Sequence, residues 1–260
     1  MSADRSHPIT GRRYWVVGAS SGIGAALAAE LVHRGAHVAV SARRRDELER
    51  VSAGAMTVLP LDVTDRAAVR RTAAEATAQL GGIDVVVWCA GFWSQFDAAD
   101  WDADAFARHV EVNLLGLNNV LAAVVPGMVA AGRGHLVGIA SVAGYRGLAG
   151  AEAYGATKAA QINLFEALRG AMRGHGVRVT TVCPGFVRTE MTESNDFPMP
   201  FIIEAVEAAR AIADGIERRR TEIVFPLPMA ALMKAARLVP ARAWPALTTR
   251  AAASSGAGTP

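Results

Sequence analysis

The stretch Gly18-Ala19-Ser20-Ser21-Gly22-Ile23-Gly24 joins a short apolar segment, residues 14–18, to an alanine-rich segment that runs to about Arg34. The apolar segment is typical of a buried β-strand, and the alanine-rich segment is typical of a helix. Glycines at such a strand-to-helix turn let the backbone approach a pyrophosphate, which binds at the helix N-terminus. The spacing of the first two glycines differs from the usual dinucleotide fingerprint. Its place after a strand and before a helix still predicts a dinucleotide-binding turn.

Strand-like and helical segments alternate along the rest of the chain. The predicted strands are residues 14–18, 37–41, 56–61, 84–89, 135–140, 177–183 and 222–225. The fourth contains the continuous apolar run Val85-Val86-Val87-Trp88, which is typical of a parallel strand buried on both faces. Alternation with short connections predicts one doubly wound α/β domain, a seven-stranded parallel sheet with helices on both faces.

The domain boundaries follow from composition. We divide the chain into a flexible N-terminus (1–10), the α/β domain (11–226), a C-terminal extension (227–253) and a disordered tail (254–260). In the extension, Met229, Leu232, Met233 and Ala236 repeat at helical spacing, which predicts a short amphipathic helix. This helix docks either onto the protein itself, at a subunit contact or over the pocket mouth, or onto an anionic membrane as a peripheral contact.

Composition excludes several classes of protein. Among 260 residues, 52% are hydrophobic and 20% are charged, which is typical of a globular chain. The net charge of +3 is small and the arginines are dispersed, so we expect no nucleic-acid partner. We take Ile223 to Met233 as the longest uncharged apolar run, and expect no membrane span because it is too short to cross a bilayer. With no targeting segment at the N-terminus, we expect a cytoplasmic protein.

The two cysteines and a histidine complete the exclusions. Cys89 and Cys183 end the fourth and sixth strands, and in the strand order given below the fifth lies between them. Strands are spaced by about 4.8 Å, so the two backbones would lie about 10 Å apart, too far for a disulfide. We therefore expect buried free thiols in a reducing compartment. No ligand cluster surrounds His109 and Glu111, and we predict no metal site.

A tyrosine and a lysine four residues apart carry the chemistry. In the run Tyr154-Gly155-Ala156-Thr157-Lys158, a helix places the phenol and the ammonium on one face. A neighbouring ammonium stabilises a phenolate and lowers the pKa of the phenol towards the range useful for acid–base catalysis. Only Lys158 and Lys234 are lysines among 27 basic residues. The alternative from these five residues alone is an ordinary exposed lysine beside a buried tyrosine.

Seven landmarks together resemble the short-chain dehydrogenase/reductase family over about residues 10–225. They are the Gly18–Gly24 turn, Asp62-Val63, Ala90-Gly91, Asn113, Ser141, the Tyr154–Lys158 run and Pro184-Gly185. The resemblance implies an NAD(P)(H)-dependent oxidoreductase with a Rossmann fold of strand order 3-2-1-4-5-6-7, and a homodimer or homotetramer. Two positions depart from the family pattern. Val17 replaces a threonine, and Trp88-Cys89 replaces two asparagines, so packing must replace the lost hydrogen bonds.

The resemblance implies four catalytic residues, Asn113, Ser141, Tyr154 and Lys158. Tyr154 would be the general acid or base, and Lys158 would lower its pKa and hold the nicotinamide ribose. Ser141 would donate a hydrogen bond to the substrate oxygen. Asn113 would anchor a water that relays protons to Lys158. The alternative is a catalytically silent NADP-binding sensor or scaffold of the same fold.

The same resemblance, with the end of the second strand, gives the cofactor site. Its predicted residues are Gly18, Ser20, Ser21, Gly22, Ile23, Gly24, Ser41, Arg43, Asp62, Val63, Ala90, Gly91, Asn113, Tyr154, Lys158, Pro184, Gly185, Val187 and Thr189. Folds that prefer NAD place a carboxylate at the end of the second strand, where this chain has Ala42. Arg43 and Ser41 instead suit a 2′-phosphate, which predicts that NADP(H) is preferred over NAD(H). The alternative is that residues 43–45 are a solvated charge run.

The substrate site should lie beyond the carboxyl ends of the strands, beneath a lid loop at residues 192–201. The predicted lining is Val142, Ala143, Tyr145, Phe186, Val187, Phe197, Met199 and Phe201. No lysine or arginine lies among them, which favours a small apolar ketone or aldehyde, or the corresponding alcohol. The aromatic patch of Trp93, Phe96 and Trp101 is either core or pocket wall.

Overall fold

A seven-stranded parallel sheet forms the centre of the computed structural model, which describes residues 8–193, 195, 197–244 and 246. The strand order is β3-β2-β1-β4-β5-β6-β9, and the predicted order is confirmed because β9 is the seventh strand of the sequence analysis. The strands are β1 (Arg13–Val17), β2 (His37–Ser41), β3 (Thr57–Val58), β4 (Val85–Trp88), β5 (Gly134–Ile139), β6 (Val177–Pro184) and β9 (Glu222–Phe225). Two short strands that the sequence did not predict, β7 (Val187–Arg188) and β8 (Ile203–Glu204), pair with each other outside this sheet.

Helices connect the strands. They are α1 (Gly22–His33), α2 (Arg45–Ser52), α3 (Arg66–Leu80), α4 (Ala103–Val110), α5 (Leu117–Ala130), α6 (Glu152–Met172), α7 (Glu190–Glu193), α8 (Ala205–Glu217) and α9 (Leu227–Ala236). A π-helical turn, Glu111–Gly116, joins α4 to α5. Asp65 caps α3 by accepting hydrogen bonds from two backbone N–H groups, and Glu204 and Glu207 form a capping box on α8. Short polar residues therefore set where these helices begin.

The sheet divides the core into two layers. Tyr14 and Val16 on β1 point to the layer with α1 and α8, whereas Trp15 and Val17 point to the layer with α3, α5 and α6. This alternation is the expected result of a strand whose successive side chains face opposite sides. Both faces of the sheet are therefore apolar and covered, as predicted for parallel strands.

The helical run Ala103–Ala130 is long and apolar enough to cross a membrane by length and composition. Residues 112–132, most of which lie in this helical run, carry no charge and form a longer run than Ile223 to Met233, so the prediction that the latter is the longest was wrong. Leu117, Val120 and Val124 are buried in the second core layer. A core helix of this kind meets the same criteria, which makes the finding weak evidence for a membrane span.

The two departures from the family pattern lie beside each other. Val17 on β1 and Trp88 on β4 are cross-strand partners, and both side chains are buried in the second layer. The Trp88 ring packs where a side chain on Gly116 would have to stand. The indole N–H of Trp88 has no hydrogen-bond partner among the described residues. Apolar packing between Val17 and Trp88 therefore takes the place of the hydrogen bonds that the family pattern would supply between β1 and β4.

The C-terminal extension begins with α9, which packs onto the body of the protein. Met229 and Met233 are buried in a third apolar cluster, whose other buried members are Ala140, Val142, Tyr145 and Cys183. Ala236 is also buried, whereas Leu232 is 54% exposed. One face of the helix therefore docks onto the protein itself, and the other face is exposed. The described part of the chain does not include residues 1–7, residues 245 and 247–253 of the extension, or the tail at 254–260. Cys89 and Cys183 are free, with β5 between their strands.

The glycine turn after β1 depends on two close backbone approaches. Gly18 has a φ of +94°, and a Cβ there would overlap the backbone of Ala90. A Cβ at Gly24 would overlap the carbonyl oxygen of Gly18. We therefore expect Gly24→Ala to lower the free energy of unfolding, measured by chemical denaturation, because backbone atoms cannot move aside cheaply.

The matched control for this prediction is Gly170→Ala. Gly170 lies in α6, and a Cβ there would meet no atom within 4 Å. This substitution should raise the free energy of unfolding by about 0.5–1 kcal/mol, because alanine loses less conformational entropy in a helix. Equal effects of the two substitutions would show that the turn does not require a glycine.

Candidate active site

A cavity of about 550 Å³ opens at the carboxyl ends of the central strands. Gly18 follows β1, Ser141 follows β5, and Pro184 ends β6. In an open α/β sheet, this edge is where ligands bind. The N-terminus of α1 borders the cavity through Gly22, so backbone N–H groups and the helix dipole favour an anionic group there.

Most of the predicted cofactor residues line this one cavity. They are Gly18, Ser20, Ser21, Gly22, Ile23, Gly24, Arg43, Asp62, Val63, Ala90, Gly91, Tyr154, Lys158, Pro184, Gly185, Val187 and Thr189. Ser41 does not line it, because its buried hydroxyl accepts a hydrogen bond from the Trp15 indole at 2.9 Å. The side chain of Ser41 thus points into the core, which contradicts the prediction that it contacts a 2′-phosphate.

Ser141 and Tyr154 lie together at one end of the cavity. Ser141 is the N-cap of a 3₁₀ turn, Val142–Gly144, and its Oγ accepts from the Ala143 N–H at 3.1 Å. Burial raises the pKa of Tyr154 to about 12, and a hydrogen bond with Ser141 opposes only part of this rise. The phenol is therefore protonated at neutral pH and can donate a proton.

Lys158 is one helical turn from Tyr154 and is 4% exposed. Its Nζ donates to the Ile139 carbonyl at 2.9 Å and lies 5.5 Å from the centre of the Tyr154 ring. Burial lowers the pKa of Lys158 to about 8. The prediction that the ammonium brings the pKa of Tyr154 towards neutrality is not met in this structure, because the lysine is itself desolvated and is held by other acceptors.

Asn113 is fully buried in the π-helical turn and does not line the cavity. Its Oδ1 accepts from the Phe92 N–H at 2.7 Å, and its Nδ2 donates to the Phe92 carbonyl at 3.1 Å and to Thr157 Oγ1 at 3.0 Å. The side chain thereby fixes the loop after β4 against α6. Its main-chain carbonyl accepts from Gln161 Nε2 at 2.7 Å, a contact that the sequence analysis did not foresee.

The predicted substrate residues do not line the cavity, apart from Val187. Those that lie elsewhere are Val142, Ala143, Tyr145, Phe186, Phe197, Met199 and Phe201. Val142, Tyr145 and Phe186 pack with Met229 and Met233 of α9 in the third cluster. The Tyr145 hydroxyl donates to Glu222 at 2.7 Å. Phe201 is exposed with a φ of 59°.

The cavity is lined by an apolar wall that was not predicted as substrate lining, formed by Phe92, Trp93 and Met191. The Trp93 ring meets the Tyr154 ring edge-on, with 5.3 Å between the centroids. Of the aromatic patch at Trp93, Phe96 and Trp101, only Trp93 is pocket wall. Part of the predicted lid loop forms α7, which carries Met191, and residues 194 and 196 of that loop lie outside the described chain.

His109 holds this apolar wall in place. It is fully buried on α4, its Nδ1 lies 2.7 Å from the Ala105 carbonyl, and its Nε2 accepts from the Ser94 N–H at 3.2 Å. Burial lowers the pKa of His109 below its ordinary value, so the neutral ring suits both contacts. The ring also stacks edge-on against Phe92, at 4.8 Å between centroids. Its role is structural, and the described residues contain no group of three potential metal ligands.

The far end of the cavity carries two arginines, and the carboxylates of Asp62 and Glu190 also line the cavity. Ala42, Arg43 and Arg44 line it, so no carboxylate stands at the end of β2. Arg44 forms an ion pair with Glu190 at 2.8 Å, across the cleft from α2 to α7. Arg43 is exposed and has no ion pair among the described residues. A dinucleotide fits this cavity, because the glycine turn, the N-terminus of α1 and Arg43 all line it.

Comparison with known proteins agrees with this geometry. A family model described as short chain dehydrogenase matches residues 13–198. The chain belongs to the short-chain dehydrogenase family. An uncharacterized oxidoreductase of Myxococcus xanthus is 41% identical over 231 residues, which cover 86% of this chain and 91% of that protein.

Solved structures of the short-chain dehydrogenase family share the fold. A short-chain dehydrogenase from Streptomyces avermitilis has a TM-score of 0.77 and 27% identity, covering 87% of this chain and 92% of its own. One from Burkholderia phymatum, in complex with NAD, has a TM-score of 0.80 at 22% identity, covering 88% and 93%. The protein is therefore an oxidoreductase with an NAD(P)-binding fold, of a family that acts on CH–OH and C=O groups.

Proposed function

We propose that this protein uses NADPH to reduce a small apolar ketone or aldehyde, or catalyses the reverse oxidation of the alcohol. The observation that carries the proposal is one continuous cavity. At one end it presents Ser141, Tyr154 and Lys158, and at the other the glycine turn and Arg43. A dinucleotide lying between these ends would place its nicotinamide beside the phenol.

The chain's own residues supply the proton and the charge stabilisation. The cofactor, when bound, supplies the hydride. Tyr154 donates its phenolic proton to the carbonyl oxygen, and Ser141 donates a hydrogen bond to the same oxygen as negative charge develops. Lys158 places its ammonium 5.5 Å from the centre of the ring on which the phenolate forms. The phenol of Tyr154 is protonated at neutral pH, which is the form that donates a proton in the reduction.

The apolar wall supports an apolar substrate. Phe92, Trp93 and Met191 border the catalytic end. Two of the positive groups that line the cavity have partners: Lys158 donates to a main-chain and an amide oxygen, and Arg108 pairs with Glu111 at 2.5 Å. Of these two groups, only the third N–H of Lys158 stays available to a carboxylate substrate. A neutral ketone or aldehyde fits this surface better.

Absorbance at 340 nm tests the proposal directly. Purified protein with NADPH should oxidise the cofactor when given ketones or aldehydes from an apolar panel, and charged keto acids should be poorer substrates. The second candidate is a silent NADP-binding sensor or scaffold, which would bind the cofactor without turnover. Tight NADPH binding with no turnover across the panel, in both directions, would favour that candidate.

A homodimer or homotetramer is the assembly that we propose. Trp101, Leu115 and Leu164, on or beside α4, the π-helical turn and α6, are large apolar side chains exposed in the single chain. Burying such residues against a second copy would remove them from water. A cytoplasmic location stays a prediction.

Membrane contact through the extension is the proposal that α9 leaves open. Leu227, Leu232 and Leu238 are exposed, so the outward face is apolar. Lys234, which pairs with Glu222, and Arg237, which lies over the Tyr145 ring, are the cations beside it. We expect the full chain to co-sediment with vesicles containing anionic lipid if this face binds them. Leu232→Asp, which does not disturb the buried Met229 and Met233, should then reduce the bound fraction. Equal sedimentation of the two proteins would exclude this contact.

A further inference from the structure

Gln161 is a fully buried polar side chain on α6, three residues after Lys158. Its Oε1 accepts a hydrogen bond from Lys158 Nζ at 3.1 Å. Its Nε2 donates to the main-chain carbonyl of Asn113 in the π-helical turn at 2.7 Å. The carboxamide therefore bridges two of the four predicted catalytic residues, although it does not line the cavity itself.

We propose that Gln161 is a positioning residue, whose carboxamide ties the Lys158 ammonium to the π-helical turn and holds the lysine in its charged form. The meaning of this role for catalysis rests on the proposed function. The family resemblance implies that a water anchored at Asn113 reaches Lys158. In this chain the amide makes that connection directly.

The contacts of Lys158 show why one acceptor matters. An ammonium has three N–H donors. Ile139 O and Gln161 Oε1 take two of them, and the side chain also lines the cavity, where the third is free for a ligand. Without Gln161, Nζ would keep a single protein acceptor and could turn away from Tyr154.

The surroundings of Lys158 otherwise oppose its charge. The titratable groups that face it are the thiols of Cys89 and Cys183 and the phenol of Tyr154, all neutral at pH 7. No carboxylate of the described residues accepts a hydrogen bond from Nζ. Since burial already lowers the pKa of Lys158 to about 8, removing one of its two acceptors should leave about half of it neutral at pH 7 and most of it neutral at pH 8.

A carboxamide also behaves differently from a water in this position. Its nitrogen is a donor and its oxygen an acceptor, and neither exchanges these roles at neutral pH. The bridge therefore fixes the place and charge of Lys158 and does not carry protons between Asn113 and the lysine.

The chain offers a direct measurement, because it contains only two lysines. In protein labelled with ¹³C-lysine, the pH titration of the two Cε signals reports both pKa values, and Lys234→Arg assigns them. We expect Gln161→Met, which keeps the length of the side chain, to lower the pKa of Lys158 by about one unit or more. Gln161→Glu, which places a carboxylate on Nζ, should raise it.

A structural role alone would not move this pKa in opposite directions. Asn119→Leu is the matched control, because Asn119 is another buried amide, hydrogen-bonded to the Val63 carbonyl and not to the lysine. It should leave the pKa of Lys158 unchanged. An unchanged pKa in Gln161→Met overturns the proposal. If that variant does not fold, a pKa in Gln161→Glu at or below the wild-type value overturns it.

The enzymatic consequence is a shift in the pH profile. Reduction needs a charged Lys158 and a protonated Tyr154, so its rate should fall as pH rises through the lower of the two pKa values. In Gln161→Met, that fall should move to lower pH by the change measured for Lys158. Because the titration needs no turnover, an inactive wild type would end the proposed function and leave the test of Gln161 intact.

Discussion

Replacing Tyr154 by phenylalanine should reduce turnover by about 10²- to 10⁴-fold, the usual contribution of a general acid. Only the hydroxyl is removed. The ring keeps its edge-on contact with Trp93 and its place above Lys158, so the shape of the cavity should not change. Cofactor affinity, measured by fluorescence titration, should therefore stay within about threefold of wild type while kcat falls.

Tyr145→Phe is the matched control for Tyr154→Phe. Its ring is buried between the 3₁₀ turn and α9, and its hydroxyl bonds to Glu222 at 2.7 Å, away from the cavity. Losing this hydroxyl should affect stability and leave kcat nearly unchanged. If the Tyr154 variant kept more than about a tenth of the wild-type rate, the phenol would not be the proton donor.

Local patterns explain why so much of the fold could be predicted. A buried parallel strand is apolar throughout, and the glycine turn must follow the first strand if a phosphate is to reach the helix N-terminus. These constraints act within about ten residues, so the strand Val85–Trp88 and the turn Gly18–Gly24 can be predicted from local sequence. The seven-strand order followed from the family resemblance, and the structure confirms it.

The substrate wall could not be predicted, because it depends on what packs from far along the chain. Tyr145 and Phe186 follow strands at the carboxyl edge of the sheet, where a pocket was predicted, but they pack against Met229 and Met233 of α9. Their apolar character is the same whether a ligand or a methionine is the partner. Trp93 was one of three aromatic residues with no local signal to separate wall from core, and its contact with Tyr154 spans 61 positions, from 93 to 154.

Buried polar side chains were equally hard to assign. Ser41 ends β2, where a hydroxyl could face either the cleft or the core. It faces the core because its hydroxyl accepts a hydrogen bond from the Trp15 indole. Gln161 was overlooked because a glutamine on an amphipathic helix is most often exposed. Its role depends on the carbonyl of Asn113, 48 positions earlier, which a spacing rule within one helix cannot reveal.

Cofactor preference rests on the end of β2. A dinucleotide fold that prefers NAD uses a carboxylate there to bind the ribose 2′-hydroxyl, and a carboxylate repels a 2′-phosphate. Here Ala42 leaves that position uncharged. Arg43 lines the cavity and has no ion pair among the described residues, whereas Arg44 is held by Glu190. Arg43 is therefore the guanidinium that can turn to a phosphate without breaking an existing contact.

The double substitution Ala42→Asp with Arg43→Ala should weaken NADPH binding at least about tenfold and improve NADH binding relative to it. A hydrogen bond to a charged group is worth about 1.5–3 kcal/mol, and each 1.4 kcal/mol is about tenfold in affinity. Arg45→Ala is the matched control. Arg45 pairs with Glu49 on α2 and does not line the cavity, so both affinities should stay as they are. Titrating NADPH and NADH against the three proteins measures the preference. A wild type that binds NADH as tightly as NADPH would refute the preference. A comparable loss of NADPH affinity in Arg45→Ala would show that Arg43 has no specific contact with the 2′-phosphate.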